Sequence, residues 1–264
     1  GVMPSDGGVA DAAQPADAGE GDASTGPQVY VHLRATHEPV VHEPGSSGQT
    51  PRGWVSGIRS LHLLRESGDP SPVLIFSHGD GFVEASYDDG ADTIVGSAPI
   101  ASLPQESFTW ARAVHTHLRF TINATAHAGM FAVPGEIEEL VVISDRTTLD
   151  GTTYALGDYR WVFRGASMEI PMSGSGLSVR PGAGGGFFWV VERGETAYYF
   201  PAVLDTRNDL TDDVHLIFTV NTHESFRWMD ETADGYEAGV FDITAAGTEP
   251  IVQVGANGFT YTLE

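Results

Sequence analysis

The chain has 264 residues, a formal net charge of −23 at pH 7 and no cysteine. The lack of cysteine excludes disulfides, thiolate metal sites and cysteine nucleophiles. The negative charge makes nucleic acid and anionic membranes poor partners, because both favour clustered Lys and Arg. No stretch approaches the roughly 18 to 20 apolar residues of a transmembrane helix, so we expect no transmembrane segment and favour cationic partners.

The N-terminal segment, residues 1–28, predicts a disordered acidic tether. It contains no Lys, Arg or aromatic side chain, so it cannot bury enough apolar surface to offset the entropy of ordering. Its composition resembles the low-complexity segment after the lipid-modified cysteine of exported bacterial surface lipoproteins. The resemblance implies a lipid anchor upstream of Gly1 and a location in the periplasm or on the outer-membrane surface. A disordered cytoplasmic tail is the alternative.

From Val29 onward, apolar residues mostly recur with period two between Gly, Pro, Asn and Asp, which predicts strands. Helical windows are scarce, so residues 29–264 are expected to form an all-β fold, an antiparallel β-sandwich that is Ig-like or jelly-roll-like. Two β subdomains meeting near residues 173–186 are an alternative. The strands are predicted at 29–35, 54–65, 73–77, 108–123, 137–144, 159–164, 187–192, 197–204, 214–221, 251–254 and 259–263.

Two of these strands carry specific expectations about their faces. In the strand at 108–123, even-numbered residues such as Trp110 and Leu118 are predicted to pack, and the odd-numbered face to be polar. The run from Phe187 to Val191 is apolar on both faces, which predicts a central strand covered by two layers.

Histidines suggest a transition-metal site. His115 and His117 lie two apart, so on a regular strand both rings point the same way. His32 falls on the polar face of the predicted strand at 29–35. His127 lies a few residues beyond the strand at 108–123, which carries His115 and His117. Zinc or copper would suit imidazole ligands. The alternative is a polar strand face without metal, because the Glu and Gly spacing that follows His-x-His in cupins is absent.

A second resemblance concerns copper. An exported, β-rich chain with His223 near Trp228 resembles the methanobactin-associated copper lipoproteins. This chain lacks the four-cysteine pattern that many of those proteins carry, so no ligands are transferred by the resemblance.

An acidic segment near residue 230 resembles the opening of a calcium loop, in which oxygens at alternate positions precede a glycine. Phe241 stands where a bidentate glutamate would close the site, so a neighbouring carboxylate would have to substitute. An acidic hairpin that binds nothing is the alternative. The candidate calcium ligands are Asp230, Thr232, Asp234, Tyr236 through its carbonyl, and Glu237 or Asp242.

The run from Pro72 to Gly81 resembles the strand and His-Gly turn that supply oxyanion-hole amides in α/β-hydrolases. That fold also requires a Gly-x-Ser-x-Gly elbow, and no such pentapeptide occurs in the sequence. A turn between two strands explains His78 to Gly81 without catalysis, so no catalytic residue is assigned.

These features together predict a non-catalytic, extracytoplasmic binding or structural module, stabilised by a cation such as calcium. Its ligand would be a protein, a glycan or a cation. One alternative is a periplasmic copper or zinc binding protein that uses the histidines above. Another is a secreted hydrolase of unknown class.

Overall fold

The computed structural model describes residues 26–42, 44–176, 186–208, 210–233, 235–244 and 247–264. Residues 1–25 of the predicted tether lie outside this part, and the first strand begins at Gln28. One 3-10 turn, Ile100–Ser102, accompanies the strands of the described residues. None of these residues belongs to a helix long and apolar enough to cross a membrane.

Twenty strands are described in chain order. Their bounds are β1 Gln28–Thr36, β2 Ser47–Gln49, β3 Arg52–Leu64, β4 Val73–Ser77, β5 Val83–Ser86, β6 Asp92–Pro99, β7 Ser107–Ala128, β8 Phe131–Val142, β9 Thr147–Leu149, β10 Thr152–Tyr154, β11 Asp158–Gly165, β12 Met168–Ser175, β13 Phe188–Glu192, β14 Glu195–Asp205, β15 Val214–Asn221, β16 Phe226–Trp228, β17 Asp242–Thr244, β18 Gly247–Thr248, β19 Ile251–Val254 and β20 Gly258–Leu263.

The two main sheets form a sandwich. The smaller sheet has the order β20-β15-β1-β6, and the larger contains the path β12-β11-β8-β7-β14-β13, with β3, β4, β5, β17 and β18 attached. Two short sheets accompany them, one with the order β19-β16-β2 and one formed by β10 and β9. Pairing is mostly antiparallel, whereas β1 with β15 and β17 with β7 are parallel.

One buried cluster joins the two main sheets. Val31 and Phe218 contribute from the smaller sheet, and Ile58, Ala113 and Phe200 from the larger. The prediction of an all-β, mainly antiparallel sandwich is therefore confirmed. The predicted subdomain division near 173–186 falls mostly on residues 177–185, which lie outside the described part.

The predicted inward face of β7 is wrong between Trp110 and Thr116. Ala111, Ala113 and His115 face the core there, whereas Trp110 lies opposite the exposed Pro201. Between Ser56 opposite Leu118 and Ile58 opposite His115, β7 has one residue more than β3. This β-bulge reverses the alternation of side chains, so odd-numbered residues face the core from Ala111 to His115 and even-numbered residues from Leu118 onward. Phe108, at the start of the strand, is also buried in the core.

The prediction of a central strand at Phe187–Val191 is also wrong. Among the described strands, β13 pairs only with β14 and ends the continuous path of the larger sheet. Val190 and Val191 are 39% and 37% exposed. This run, which is apolar on both faces, forms an edge strand with an exposed apolar side. Periodicity does not distinguish such a strand from a central one, because it carries no information about neighbouring strands.

Candidate ligand pocket

The bulge in β7 separates the histidine pair on which the metal hypothesis depended. His115 faces the core, where its Nδ1 lies 2.9 Å from Ser56 Oγ and its ring packs on Tyr198. His117 faces the opposite side, where its Nε2 lies 3.1 Å from Glu84 Oε1. The two rings therefore do not converge on one ion site.

The other two candidate histidines lie elsewhere. His32 Nδ1 is 2.8 Å from Asp92 Oδ1, and its Nε2 is 2.8 Å from His215 Nδ1. His127 Nε2 is 2.6 Å from the buried Asp242 Oδ1. The structure thus places the four histidines in separate hydrogen-bonded environments.

The carboxylates of the candidate calcium loop are bonded to protein donors. Asp230 accepts hydrogen bonds from the Ser47 hydroxyl at 2.5 Å, the Trp228 indole N–H at 3.2 Å and the Gly239 N–H at 3.0 Å. Asp242 Oδ2 accepts one from Glu237 N–H at 3.2 Å.

The remaining candidates of this loop do not complete a described site. Thr232 is exposed, and the Tyr236 ring packs on His127 with centroids 4.8 Å apart. The Glu237 main chain is bonded to Asp242, and Asp234 lies outside the described residues. Calcium binding here stays a prediction.

The His78 segment forms a turn between β4 and β5, as expected. Gly81 N–H donates to the His78 carbonyl at 2.9 Å, and Gly79 takes a left-handed φ of 62°. The His78 ring is bonded to the Val95 carbonyl at 2.8 Å. These contacts explain His78 to Gly81 as a turn that links two strands.

A different site lies on the inner face of the larger sheet, where a pocket of about 340 Å³ opens between that sheet and the C-terminal segment. Ile137, Glu139 and Val141 of β8 alternate into it, and the aromatic rings of Tyr159 and Trp161 of β11 flank them. The opposite wall and rim include Met172, Phe241, Thr248, Ile251 and Val254.

Strand register explains how these side chains share one wall. Met172 pairs with Trp161, Trp161 with Glu139, and Glu139 with Phe120, so the four form a row across β12, β11, β8 and β7. Directly paired residues point to the same face of a sheet. Phe120 is buried in the core, whereas Met172 is 42% exposed. The row therefore runs from the core to the mouth of the pocket, with the carboxylate of Glu139 inside.

Glu139 is electrostatically unusual. As a residue Glu139 is half-buried, at the wall of the pocket. Its carboxylate has no hydrogen bond or ion pair with any of the described residues, and desolvation by the apolar side chains around it raises its pKa from 4.5 to about 7. An ionised carboxylate without a partner is costly to bury. By contrast, the neighbouring Glu136 and Glu138, on the outer face, pair with Arg52 and Arg164.

An apolar pocket with one isolated polar group is the usual form of a small-ligand site. The aromatic walls can hold an apolar body, and the carboxylate can pair with a cation or, when protonated, donate a hydrogen bond. The sequence contained a signal for this site, because Glu139 interrupts the inward row Ile137, Val141, Ile143 of a correctly predicted strand. Glu139 was not among the site residues predicted from the sequence.

The fold and the pocket together define a β-sandwich with an internal carboxylate site. Comparisons with protein-family models, with curated proteins and with solved structures found no match for this chain. The evidence for function therefore comes from the geometry of the pocket around Glu139.

Proposed function

We propose that this chain is a non-catalytic binding module whose pocket takes an amphipathic amine. The observation that carries the proposal is Glu139, a carboxylate without a partner among the described residues, inside an apolar, aromatic-walled pocket. An ammonium group would supply the missing counter-charge, and an attached apolar body would cover Tyr159 and Trp161. No covalent chemistry is required of the residues in the pocket.

Charge and aromatic chemistry favour an amine over a neutral ligand. The formal net charge of −23 attracts cations and raises their concentration near the surface. A cation near an aromatic face gains further attraction, especially with tryptophan and when water is excluded. An anionic ligand would instead meet an unpaired carboxylate, so the same pocket selects against it.

We place this module outside the cytoplasm, held by its acidic N-terminal segment. The composition of residues 1–28 supports this location. A tethered receptor that samples small amines at a cell surface is consistent with a binding role.

The test compares two ligands that differ in charge but little in shape. Calorimetric titration at pH 8 with 2-phenylethylamine and with 2-phenylethanol should show the amine binding at least about 10-fold more tightly, which corresponds to 1.4 kcal/mol. Glu139→Gln should remove this preference. Trp161→Ala should weaken both ligands, because it removes the apolar wall that they share.

The matched control is Glu136→Gln, which removes a carboxylate from the outer face of the same strand and should leave both affinities unchanged. Equal affinity of the wild-type protein for the amine and the alcohol would refute the proposal. So would an amine preference that survives in Glu139→Gln.

A further inference from the structure

A second cluster lies away from the pocket, where the loop after β1 meets the turn between β15 and β16. His42 comes from the loop, and His223 and Glu224 come from the turn. One nitrogen of each imidazole and one carboxylate oxygen all lie within 4.8 Å of one another. The two imidazole rings are nearly parallel, with an interplanar angle of 13° and centroids 6.2 Å apart.

We propose that His42, His223 and Glu224 form a zinc site with one coordination position open to water or another ligand. Two imidazoles and one carboxylate are a known donor set for Zn²⁺ sites with an open position. Neighbouring ligand atoms in a tetrahedral zinc site are about 3.3 Å apart, given zinc bonds of about 2.0 to 2.1 Å. Small side-chain rotations would bring the three atoms to that spacing.

The environment of His42 gives independent support. Its Nε2 atom is buried and has no hydrogen-bond partner among the described residues. Such an atom is uncommon in a folded protein, and an ion is one of the partners that can satisfy it.

The turn that carries the other two ligands is held in a specific conformation. Glu224 adopts φ of 43°, in the left-handed region that side chains other than glycine rarely occupy. Asn257 donates a 2.6 Å hydrogen bond to the His223 carbonyl, and Asn221 accepts a 3.0 Å hydrogen bond from His223 N–H. Backbone strain that is retained by surrounding contacts is frequent at binding sites.

Arg227 is the main competitor for this carboxylate. Its Nη1 lies 3.5 Å from Glu224 Oε2, while its Nη2 donates to Ser46 O at 2.7 Å and Ser46 Oγ at 2.9 Å. Zinc needs one carboxylate oxygen, so the second oxygen can keep the ion pair. The arginine then orients the carboxylate towards the histidines.

The experiment is a zinc titration of the whole chain after treatment with EDTA, in excess magnesium to suppress weak binding by surface carboxylates. We expect one zinc ion per chain and a higher melting temperature in its presence. The double variant His42→Ala, His223→Ala should bind zinc at least about 100-fold more weakly, since even outer-sphere changes cost 10- to 100-fold. It should also lose the zinc-dependent rise in melting temperature.

The matched control is His32→Ala, His215→Ala, which removes the other adjacent histidine pair. It should bind zinc as the wild type does. Both variants change half-buried side chains, and their melting temperatures without metal verify folding. Absence of saturable zinc binding by the wild type would overturn the proposal. Binding that survives in the His42, His223 variant, or that is lost in the control, would also overturn it.

Discussion

Glu139 shows that a single polar residue in an otherwise apolar, inward-facing row of a strand can mark a candidate binding site. A regular inward row on β8 would contain only apolar side chains, and a carboxylate in that row lowers the stability of the empty fold. Proteins retain such residues at sites where binding or catalysis uses them. The same logic applies to His42, whose buried nitrogen lacks a partner among the described residues.

Replacing Glu139 by Gln should stabilise the protein at alkaline pH. The folded-state pKa, about 7, is above the ordinary value of 4.5, so ionisation destabilises the fold progressively from about pH 4.5 and fully above about pH 7. We expect Glu139→Gln to be more stable by about 1–2 kcal/mol at pH 8 and nearly equal to the wild type at pH 4. Urea unfolding at the two pH values measures this difference.

The control for this prediction is Glu136→Gln on the same strand. It removes an exposed ion pair with Arg52 and should change stability by less than about 0.5 kcal/mol at either pH. A Glu139→Gln variant that is no more stable than the wild type at pH 8 would contradict the proposed burial of charge.

The strands themselves were largely predictable, whereas their faces and neighbours were not. β4, β15 and β19 begin and end where alternation and turn residues predicted. The inward face of β7 was wrong from Trp110 to Thr116, because one additional residue at Thr116–His117 reverses the alternation there. Nothing in the local sequence of β7 marks this bulge, because the residue that leaves room for it lies on the opposing strand β3.

Gly57 of β3 is the residue that accommodates the bulge. A Cβ at this position would collide with the side chains of Thr116 and His117. We therefore expect Gly57→Ala to destabilise the protein by about 1–3 kcal/mol, as overpacking does in other cores. Thermal or urea unfolding gives the measurement.

Gly68 provides the matched control, because no heavy atom lies within 4 Å of a Cβ built there. Gly68→Ala should change stability by no more than about 0.5 kcal/mol. Equal stability of the two alanine variants would show that the bulge does not need a glycine opposite it.

The candidate site was less accessible to sequence reasoning than the fold. His42 and His223 are far apart in the chain and meet only because β1 and β15 pair in parallel. Glu139 could be identified from alternation alone, but the aromatic walls of its pocket depend on the register of β8, β11 and β12. Long-range pairing is the information that a single sequence lacks.

At the scale of the whole molecule, charge should determine the response to salt. The chain carries 36 acidic and 13 basic residues, so carboxylate repulsion opposes the compact state. Salt screens this repulsion, because the Debye length falls from about 10 Å at 0.1 M to about 3 Å at 1 M. We expect the melting temperature to rise by several degrees between 0.05 M and 1 M NaCl. A fall over this range would mean that attractive ion pairs outweigh the net repulsion.

In our proposal, the carboxylate of Glu139 lies in the pocket without a counter-charge and binds a cationic ligand. Carbon-13 NMR of the side-chain carboxyl, assigned by comparison with Glu139→Gln, measures its titration directly. We expect a pKa near 7 in the free protein and a clearly lower pKa with saturating 2-phenylethylamine, because the ammonium favours the ionised form. A carboxyl that titrates at its ordinary value of 4.5 and does not respond to the amine would contradict the account.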